Sequence, residues 1–472
     1  MLFNWDFFIH AGIISAALLL ASFIRSRVRF FQRFLIPNSI IAGFILLPLF
    51  NYVLPLIGMN QDFLGEFAYH LLSISFIALT LRPPFKRQGA RRNITATAMG
   101  ILSQFGLQAL LGLTFTWIFI HSFMPDLFHS FGLLLPLGYA QGPGQAFAIG
   151  EGWKLFGIEN AGTVGLTFAA LGFILASFGG IFLINYGVKR HWISPEYIRS
   201  IKGPDVRTGI YPKGSELPVG SYQTTQPEAI DTLTFNVVTV LFTYLMTYLF
   251  LHGLGFLLGL LGEAGSELAT NLWGISFIFC AMMGMLMRKI FALFKADHIL
   301  ESRTLNRVSG ISVDLMVTSS IAAISIVIVA QYWIPILVVG IAGAAMTLAI
   351  IPWMGSRAFS DHRFLRTLLI FGVSTGTLST GLALLRVLDP EFETPVASDY
   401  TYASGMTFVL AIPFILSINF SAEAYKTGNM MWFLAAIGVA LAYIIGAFLW
   451  YLGIAKGDAF AKSTKVWFEG KS

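Results

Sequence analysis

Apolar residues in this chain are grouped into long runs, with short polar segments between them. A helix needs about 20 mostly apolar residues to cross a bilayer. We interpret eleven of the runs as membrane spans, and they lie at about 7–24, 34–54, 67–81, 94–120, 161–188, 231–252, 270–287, 309–330, 331–354, 401–422 and 430–452. The pattern therefore predicts an all-α polytopic membrane protein.

Two further apolar stretches, about 131–156 and 364–388, are interrupted by residues that disfavour a regular helix. The interrupting residues are Gly138, Gly142, Pro143, Gly144, Gly150 and Gly152 in the first stretch, and Gly372, Gly376 and Gly381 among serines and threonines in the second. A broken helix leaves backbone groups unsatisfied, which a membrane tolerates only inside protein or beside a water-filled cavity. Each stretch is therefore predicted to be a re-entrant hairpin, which enters and leaves the membrane on the same side.

The distribution of Lys and Arg favours hairpins over full spans at both stretches. With two hairpins and the N-terminus outside, 28 of the 30 Lys and Arg lie on the cytoplasmic side, and only Lys154 and Lys426 lie outside. With two full spans, the basic residues between the stretches would face outward, against the positive-inside rule. The sequence therefore predicts a multi-pass protein with an outer N-terminus and a cytoplasmic C-terminus.

The order of spans and hairpins occurs twice. Residues 1–190 contain four spans, a hairpin and a fifth span; after a proline-containing cytoplasmic linker at 191–230, the same order returns in 231–425. A further span at 426–455 and a cytoplasmic tail at 456–472 complete the chain. Because the second unit starts from the opposite side, the pattern predicts two inverted-topology repeats, whose hairpins meet near the midplane and form the substrate site.

Composition agrees with a membrane protein and argues against several other classes. Hydrophobic residues make up 56% of the chain and charged residues 11%, unlike a soluble protein. The basic residues are explained by topology, so no nucleic-acid partner is expected. There is no Walker A sequence, no nucleophile–base pair and no metal-ligand spacing among the eight histidines. We therefore expect neither an ATP-driven pump nor an enzyme, and no resident cofactor.

The two hairpin tips carry the candidate binding chemistry. The residues expected to bind substrate or cation are Gln141, Gly142, Gly144 and Gln145 in the first tip, and Ser374, Thr375, Gly376, Thr377, Ser379 and Thr380 in the second. Hydroxyl and carbonyl oxygens can replace the hydration shell of a cation, and the N–H groups that begin each returning arm can face an anion. The alternative is that the hydroxyls only hydrogen-bond to their own helices.

Three charged residues need an interpretation, and for two of them, Glu151 and Lys154, there are two alternatives. Glu151 is either a coupling carboxylate or the partner of Lys154, three residues later on a helix. Lys154 itself is either a substrate counter-ion or a surface cation. Asp314 is expected about one and a half turns into its span, where it would neutralise the positive end of its own helix.

Several segments resemble the bacterial sodium/glutamate symporter family. They are Ile36-Pro37-Asn38-Ser39-Ile40-Ile41-Ala42-Gly43, the run Gly138-Tyr139-Ala140-Gln141-Gly142-Pro143-Gly144-Gln145-Ala146 followed by Trp153-Lys154-Leu155-Phe156-Gly157, the helix end Gly179-Gly180 to Tyr186-Gly187, and Thr375-Gly376-Thr377-Leu378-Ser379-Thr380-Gly381. Pro143 stands where that family has a histidine, and the span at 430–452 is additional to its usual ten.

This resemblance implies an elevator-type secondary transporter in a bacterial inner membrane, working as a homodimer. It implies sodium-coupled symport of a small anionic substrate, such as glutamate or a related carboxylate. The sodium site is then expected among Thr375, Thr377, Ser379 and Thr380, where hydroxyl groups are densest. The alternatives are an uncoupled or proton-coupled channel or transporter for another small solute, or a membrane-embedded sensor.

Overall fold

The structure is a computed structural model, and it describes residues 5–82, 91–193, 219–389 and 393–461, together with positions 208, 210–211, 213–215, 217 and 467. Parts of the predicted linker (191–230) and tail (456–472) therefore lie outside the described residues. Within these ranges all regular structure is helical, and ten helices are long and apolar enough to cross a membrane. The prediction of an all-α polytopic membrane protein is confirmed at this level.

The first half of the chain consists of long helices and one interrupted segment. The helices are α1 (Asp6–Arg27), α2 (Arg29–Arg33), α3 (Asn38–Ile57), α4 (Asp62–Leu81) and α5 (Arg91–Ser122). Hairpin 1 follows, with a first arm of short helical segments at 131–141, a second arm α6 (Pro143–Gly152) and a final turn at Trp153–Phe156. Helix α7 (Ala161–Lys189) completes this half.

The second half has the same order, with some additional short helices. Its elements are α8 (Thr232–Gly259), α9 (Glu263–Gly274), α10 (Ser276–Leu293), α11 (Ser302–Ala322), α12 (Ile326–Gln331) and α13 (Trp333–Ala358), then hairpin 2, made of α14 (Arg363–Thr375) and α15 (Leu378–Leu385), and finally α16 (Val396–Thr427) and α17 (Met430–Ala455). Breaks in the helices thus occur within the two stretches, about 131–156 and 364–388, for which the sequence predicts re-entrant hairpins.

Helix α11 differs most from its prediction, which was a span at 309–330. It begins at Ser302 because the Glu301 carboxylate accepts hydrogen bonds from the N–H groups of Arg303 and Thr304. It ends at Ala322, and the helix resumes only at Ile326. The ten apolar helices do not include α11. The predicted boundaries were wrong because they followed the apolar residues, whereas the capping carboxylate sets the start.

A single asparagine satisfies the backbone at the break between α11 and α12. Asn51 of α3 donates from Nδ2 to the Ile324 carbonyl (2.9 Å) and accepts from the Ile326 N–H (3.0 Å). Buried backbone groups outside a helix need such partners. The break in the second half is therefore held by a helix of the first half.

Helix α11 packs in the centre of one helical layer, between α3 and α4. The Thr318 hydroxyl donates to the Ser39 carbonyl of α3 (3.1 Å), and a Cβ atom on Gly43 would lie 2.6 Å from Cβ of Ile321. Glycine is therefore required where these two backbones approach each other. Helix α3 of the first half is thus joined to α11 of the second half.

The additional helix α17 packs against α5 and braces a proline in α16. Pro413 lies inside α16 and has no N–H to donate. The Tyr443 hydroxyl of α17 donates to the Leu410 carbonyl and accepts from the Phe414 N–H, the backbone groups on either side of this proline. Helix α17 therefore supplies hydrogen bonds at a weak point of α16.

Tyr443→Phe is expected to destabilise the protein by about 1 kcal/mol, because removing the hydroxyl deprives the Leu410 carbonyl of its donor and the Phe414 N–H of its acceptor. The measurement is the midpoint of thermal unfolding in detergent. Tyr52→Phe is the matched control, since Tyr52 is exposed and the same atom is lost. Equal midpoints for both variants would contradict the bracing role.

Candidate functional site

Both hairpins reverse at a glycine, Gly142 in hairpin 1 and Gly376 in hairpin 2. In hairpin 1 the first arm ends at Gln141, Gly142 has φ +90° and ψ 172°, and Pro143 starts α6. Positive φ favours glycine, and proline is well suited to the first position of a helix. In hairpin 2 the reversal is at Gly376-Thr377, between α14 and α15.

The two tips lie against each other. A Cβ atom on Gly142 would lie 3.5 Å from Cγ2 of Thr377 and 3.8 Å from the Gly376 carbonyl oxygen. Gly376 differs from Gly142 in its backbone conformation, since its φ is −153°. Of the two tip glycines, only Gly142 has a positive φ. At Gly376 the constraint is space, because a Cβ there would lie 2.6 Å from Oγ1 of Thr380.

Helix α7 runs behind both tips and leaves no space for side chains at the crossing. A Cβ atom on Gly172 would lie 2.4 Å from the Thr375 carbonyl oxygen and 3.0 Å from Cδ1 of Tyr139. A Cβ on Gly138 would in turn lie 2.6 Å from the Ala169 N. One glycine-containing helix therefore positions both reversals.

Two of the predicted hydroxyl groups in hairpin 2 bond within the hairpin. The Thr375 hydroxyl donates to the Phe371 carbonyl (2.7 Å). The Thr380 oxygen accepts from the Thr377 N–H (2.9 Å) and lies 2.8 Å from the Gly372 carbonyl, in the opposite arm. These contacts match the alternative reading, in which the hydroxyl groups hold the hairpin together. A hydroxyl oxygen that donates still has lone pairs for a further ligand.

The other predicted residues of hairpin 2 have different environments. The Ser374 side chain is fully buried and its Oγ has no hydrogen-bond partner. Thr377 is half-buried at the contact with Gly142, whereas Ser379 is exposed. The structure therefore brings Thr377 directly to the other tip and places Ser379 at a surface.

Hairpin 1 contains buried amide groups without partners. Both polar side-chain atoms of Gln141 are buried and unpaired, and so is Oε1 of Gln145, a residue that is only 8% exposed. Leaving a buried polar atom unpaired costs about 1–3 kcal/mol, so a folded protein contains few of them. Gly144, by contrast, is a packing position, where a Cβ would lie 2.6 Å from Sδ of Met316.

Helix α11 adds two candidate residues that the sequence reasoning missed. Ser319 and Ser320 are fully buried and their hydroxyl groups have no partner. They lie three and four residues after Met316, which contacts hairpin 1, and this spacing places them on the same face of the helix. The available signal was the unusual polarity of the run 302–322 within an apolar chain.

Helix α5 contributes two further buried amides. Gln108 donates from Nε2 to the Ser374 carbonyl (3.1 Å), while its Oε1 is unpaired. Gln104, one turn earlier, is fully buried with both side-chain polar atoms unpaired. The unpaired donors and acceptors on α5, α11 and the two hairpins are therefore buried polar groups without a partner among the described residues.

The charged residues near the hairpins form pairs rather than a charged site. Glu151 and Lys154 form a salt bridge of 2.6 Å, as one of the two sequence readings expected. This hydrogen bond raises the pKa of the Lys154 ammonium group. Asp314 is the thirteenth residue of α11, so the expectation that it neutralises its own helix start was wrong. It contacts the Ser39 hydroxyl at the start of α3, and it therefore faces the positive end of that helix.

No family model, curated protein or solved structure matches the chain. The resemblance to the sodium/glutamate symporters stays a prediction. Within the described residues there is no group of three or more His, Cys, Asp or Glu able to hold a metal ion.

Valine at either tip glycine is expected to abolish solute binding, because Gly142 has positive φ and Gly376 has no space for Cβ. The measurement is transport or ligand-induced thermal stabilisation, normalised to monodisperse protein recovered in detergent. Gly12→Val is the control, since nothing lies within 4 Å of a Cβ at Gly12. Normal activity of both tip variants would contradict a tight reversal at these glycines.

Proposed function

We propose that the protein is a secondary active transporter, with its solute bound where the two hairpin tips meet. The observation that carries this proposal is the contact between Gly142 and Thr377, in hairpins that also contain the unpaired polar atoms of Gln141, Gln145 and Ser374. Broken helices inside a membrane bundle are the usual location of transporter binding sites. A purely structural bundle would have no need of unpaired amides at this depth.

The proposed architecture is two inverted repeats that move as in an elevator. Support comes from reciprocal packing between the halves. Helix α3 packs on α11, and α4 packs on α10, where a Cβ on Gly284 would lie 2.1 Å from Oγ1 of Thr80. A two-fold axis that exchanges α3 with α10 and α4 with α11 would turn the pair α3–α11 into the pair α10–α4. Such a relation is what an inverted duplication produces.

The proposed ligands are a small anion, such as glutamate or a related carboxylate, and sodium as the coupling ion. Helices α6 and α15 both begin at the tips. Pro143 has no N–H, and a capping box between Thr377 and Thr380 uses two N–H groups at the start of α15, so the remaining N–H groups of the two first turns would face a carboxylate. Sodium would be held by hydroxyl oxygens of hairpin 2, among Thr375, Thr377, Ser379 and Thr380. At Thr377 the methyl group faces Gly142, while the hydroxyl belongs to the capping box of α15. We further propose a bacterial inner-membrane location and a homodimer, as the family resemblance implies.

The test is uptake into proteoliposomes of labelled glutamate and other dicarboxylates, with and without a sodium gradient. Saturable, sodium-dependent uptake is expected for at least one of them. Gln145→Ala is expected to raise the half-saturating solute concentration roughly two- to tenfold, the effect of losing one hydrogen bond.

Gln331→Ala is the matched control, because Gln331 is exposed at the end of α12. Ohmic conductance without saturation would contradict the transporter proposal and indicate a channel. Ligand binding without flux would contradict it and indicate a sensor. If uptake is saturable but the half-saturating solute concentration is the same for Gln145→Ala and Gln331→Ala, the solute does not bind at Gln145 of hairpin 1.

A further inference from the structure

An apolar groove of about 360 Å³ lies between α1, α2, α3 and α7. Its walls are isoleucines and the aromatic side chains of Phe30, Phe31, Phe44, Phe173 and Phe178, and Ser177 is the one polar residue among the lining residues. This volume falls within the range of about 300–1,000 Å³ that small-molecule sites occupy. The groove is separate from the polar groups at the hairpin tips.

The groove opens on the outer surface of the helix bundle. Three of its lining residues are substantially exposed, with Phe30 at 49%, Phe44 at 39% and Ile174 at 40%. In a bilayer the outer surface of such helices faces lipid. A ligand of this groove therefore enters from the lipid phase, and the part of it that lies in the groove is apolar.

Four arginines lie close in sequence to Ile24, Phe30 and Phe31, three of the residues that line the groove. Arg29 and Arg33 lie on α2, on either side of the lining residues Phe30 and Phe31 in the sequence. Arg25 and Arg27 lie in the last turn of α1, just after the lining residue Ile24. In the described part of the chain none of them forms a salt bridge with a carboxylate. Nε of Arg25 is buried and has no hydrogen-bond partner. Positive charge is thus concentrated here without a carboxylate partner among the residues that the structure describes.

We propose that this groove is a binding site for one anionic phospholipid, with an acyl chain between α1, α3 and α7 and the phosphate held by the arginines. Lipid tails are as apolar as the groove, so burial of a tail gives no preference among lipids already in the bilayer. The headgroup supplies that preference, because guanidinium groups match phosphate oxygens in geometry and charge. Basic pockets between membrane helices bind anionic headgroups in this way.

The groove also contacts the candidate solute site through one side chain. Phe173 lines the groove, and its Cδ1 would lie 3.1 Å from a Cβ on Gly376. An acyl chain in the groove therefore packs on a ring that supports the tip of hairpin 2. The occupied groove holds this ring in position.

The experiment is native mass spectrometry of the intact protein released from mixed micelles of phosphatidylglycerol and phosphatidylcholine. The wild type is expected to retain one phosphatidylglycerol in preference to phosphatidylcholine. Arg29→Gln/Arg33→Gln is expected to reduce this preference by roughly 25-fold, since each arginine contributes about fivefold. Ser177→Trp, which fills the groove, is expected to abolish retention of the lipid while the protein stays monodisperse.

Lys289→Gln/Lys295→Gln is the matched control, because it removes the same charge from exposed positions of the chain that do not line the groove. Glycerol 3-phosphate is added as a competitor to separate a lipid site from a phosphate site. Displacement of the lipid by glycerol 3-phosphate, or equal lipid ratios in the wild type and both arginine and tryptophan variants, would overturn the proposal.

Discussion

The whole structure depends on one constraint, which is that backbone N–H and C=O groups inside a bilayer must find partners within the protein. Ordinary spans meet it with their own helical hydrogen bonds, but the chain interrupts its helices at Gly142 and again at Gly376. These two interruptions contact each other, and both pack against α7. Gly172 of α7 has no side chain, and both hairpins therefore lie close to its backbone. The break after Ala322 is handled in the same way, through the amide of Asn51. Each break is thus covered by an element from elsewhere in the chain.

The balance of satisfied and unsatisfied groups separates structural residues from candidate binding residues. Thr375 and Thr380 use their hydroxyl groups to close hairpin 2, whereas Gln141, Gln145 and Ser320 leave buried polar atoms unpaired. A protein maintains such unpaired groups at a cost of about 1–3 kcal/mol each. Binding of a polar solute would recover part of that cost, which is why we assign the site to the tips and the adjoining face of α11.

Much of the architecture was predictable from the sequence because glycine and charge are strong local signals. The reversals are at Gly142 and Gly376. Glycine suits the first position because the backbone there has positive φ, and the second because there is no space for a Cβ atom. The side-chain partners were not predictable, because they depend on contacts distant in sequence, such as Gln108 with the Ser374 carbonyl. Helix α11 was misplaced for a related reason. Its first residues, from Ser302, look like a loop in a hydropathy pattern, although Thr304 and Leu305 are buried.

The most direct test of the account is whether the two tips touch in the membrane. In a Cys280→Ala background, cysteines at Gln141 and Thr377 are treated with a short bifunctional thiol reagent, and the chain is then cut at a protease site inserted after Ser215. The account predicts that the two halves stay joined on a denaturing gel, while a control pair at Gln141 and Thr394 separates. Separation of the halves for the tip pair, with both cysteines reactive toward a monofunctional reagent, would contradict the meeting of the hairpins.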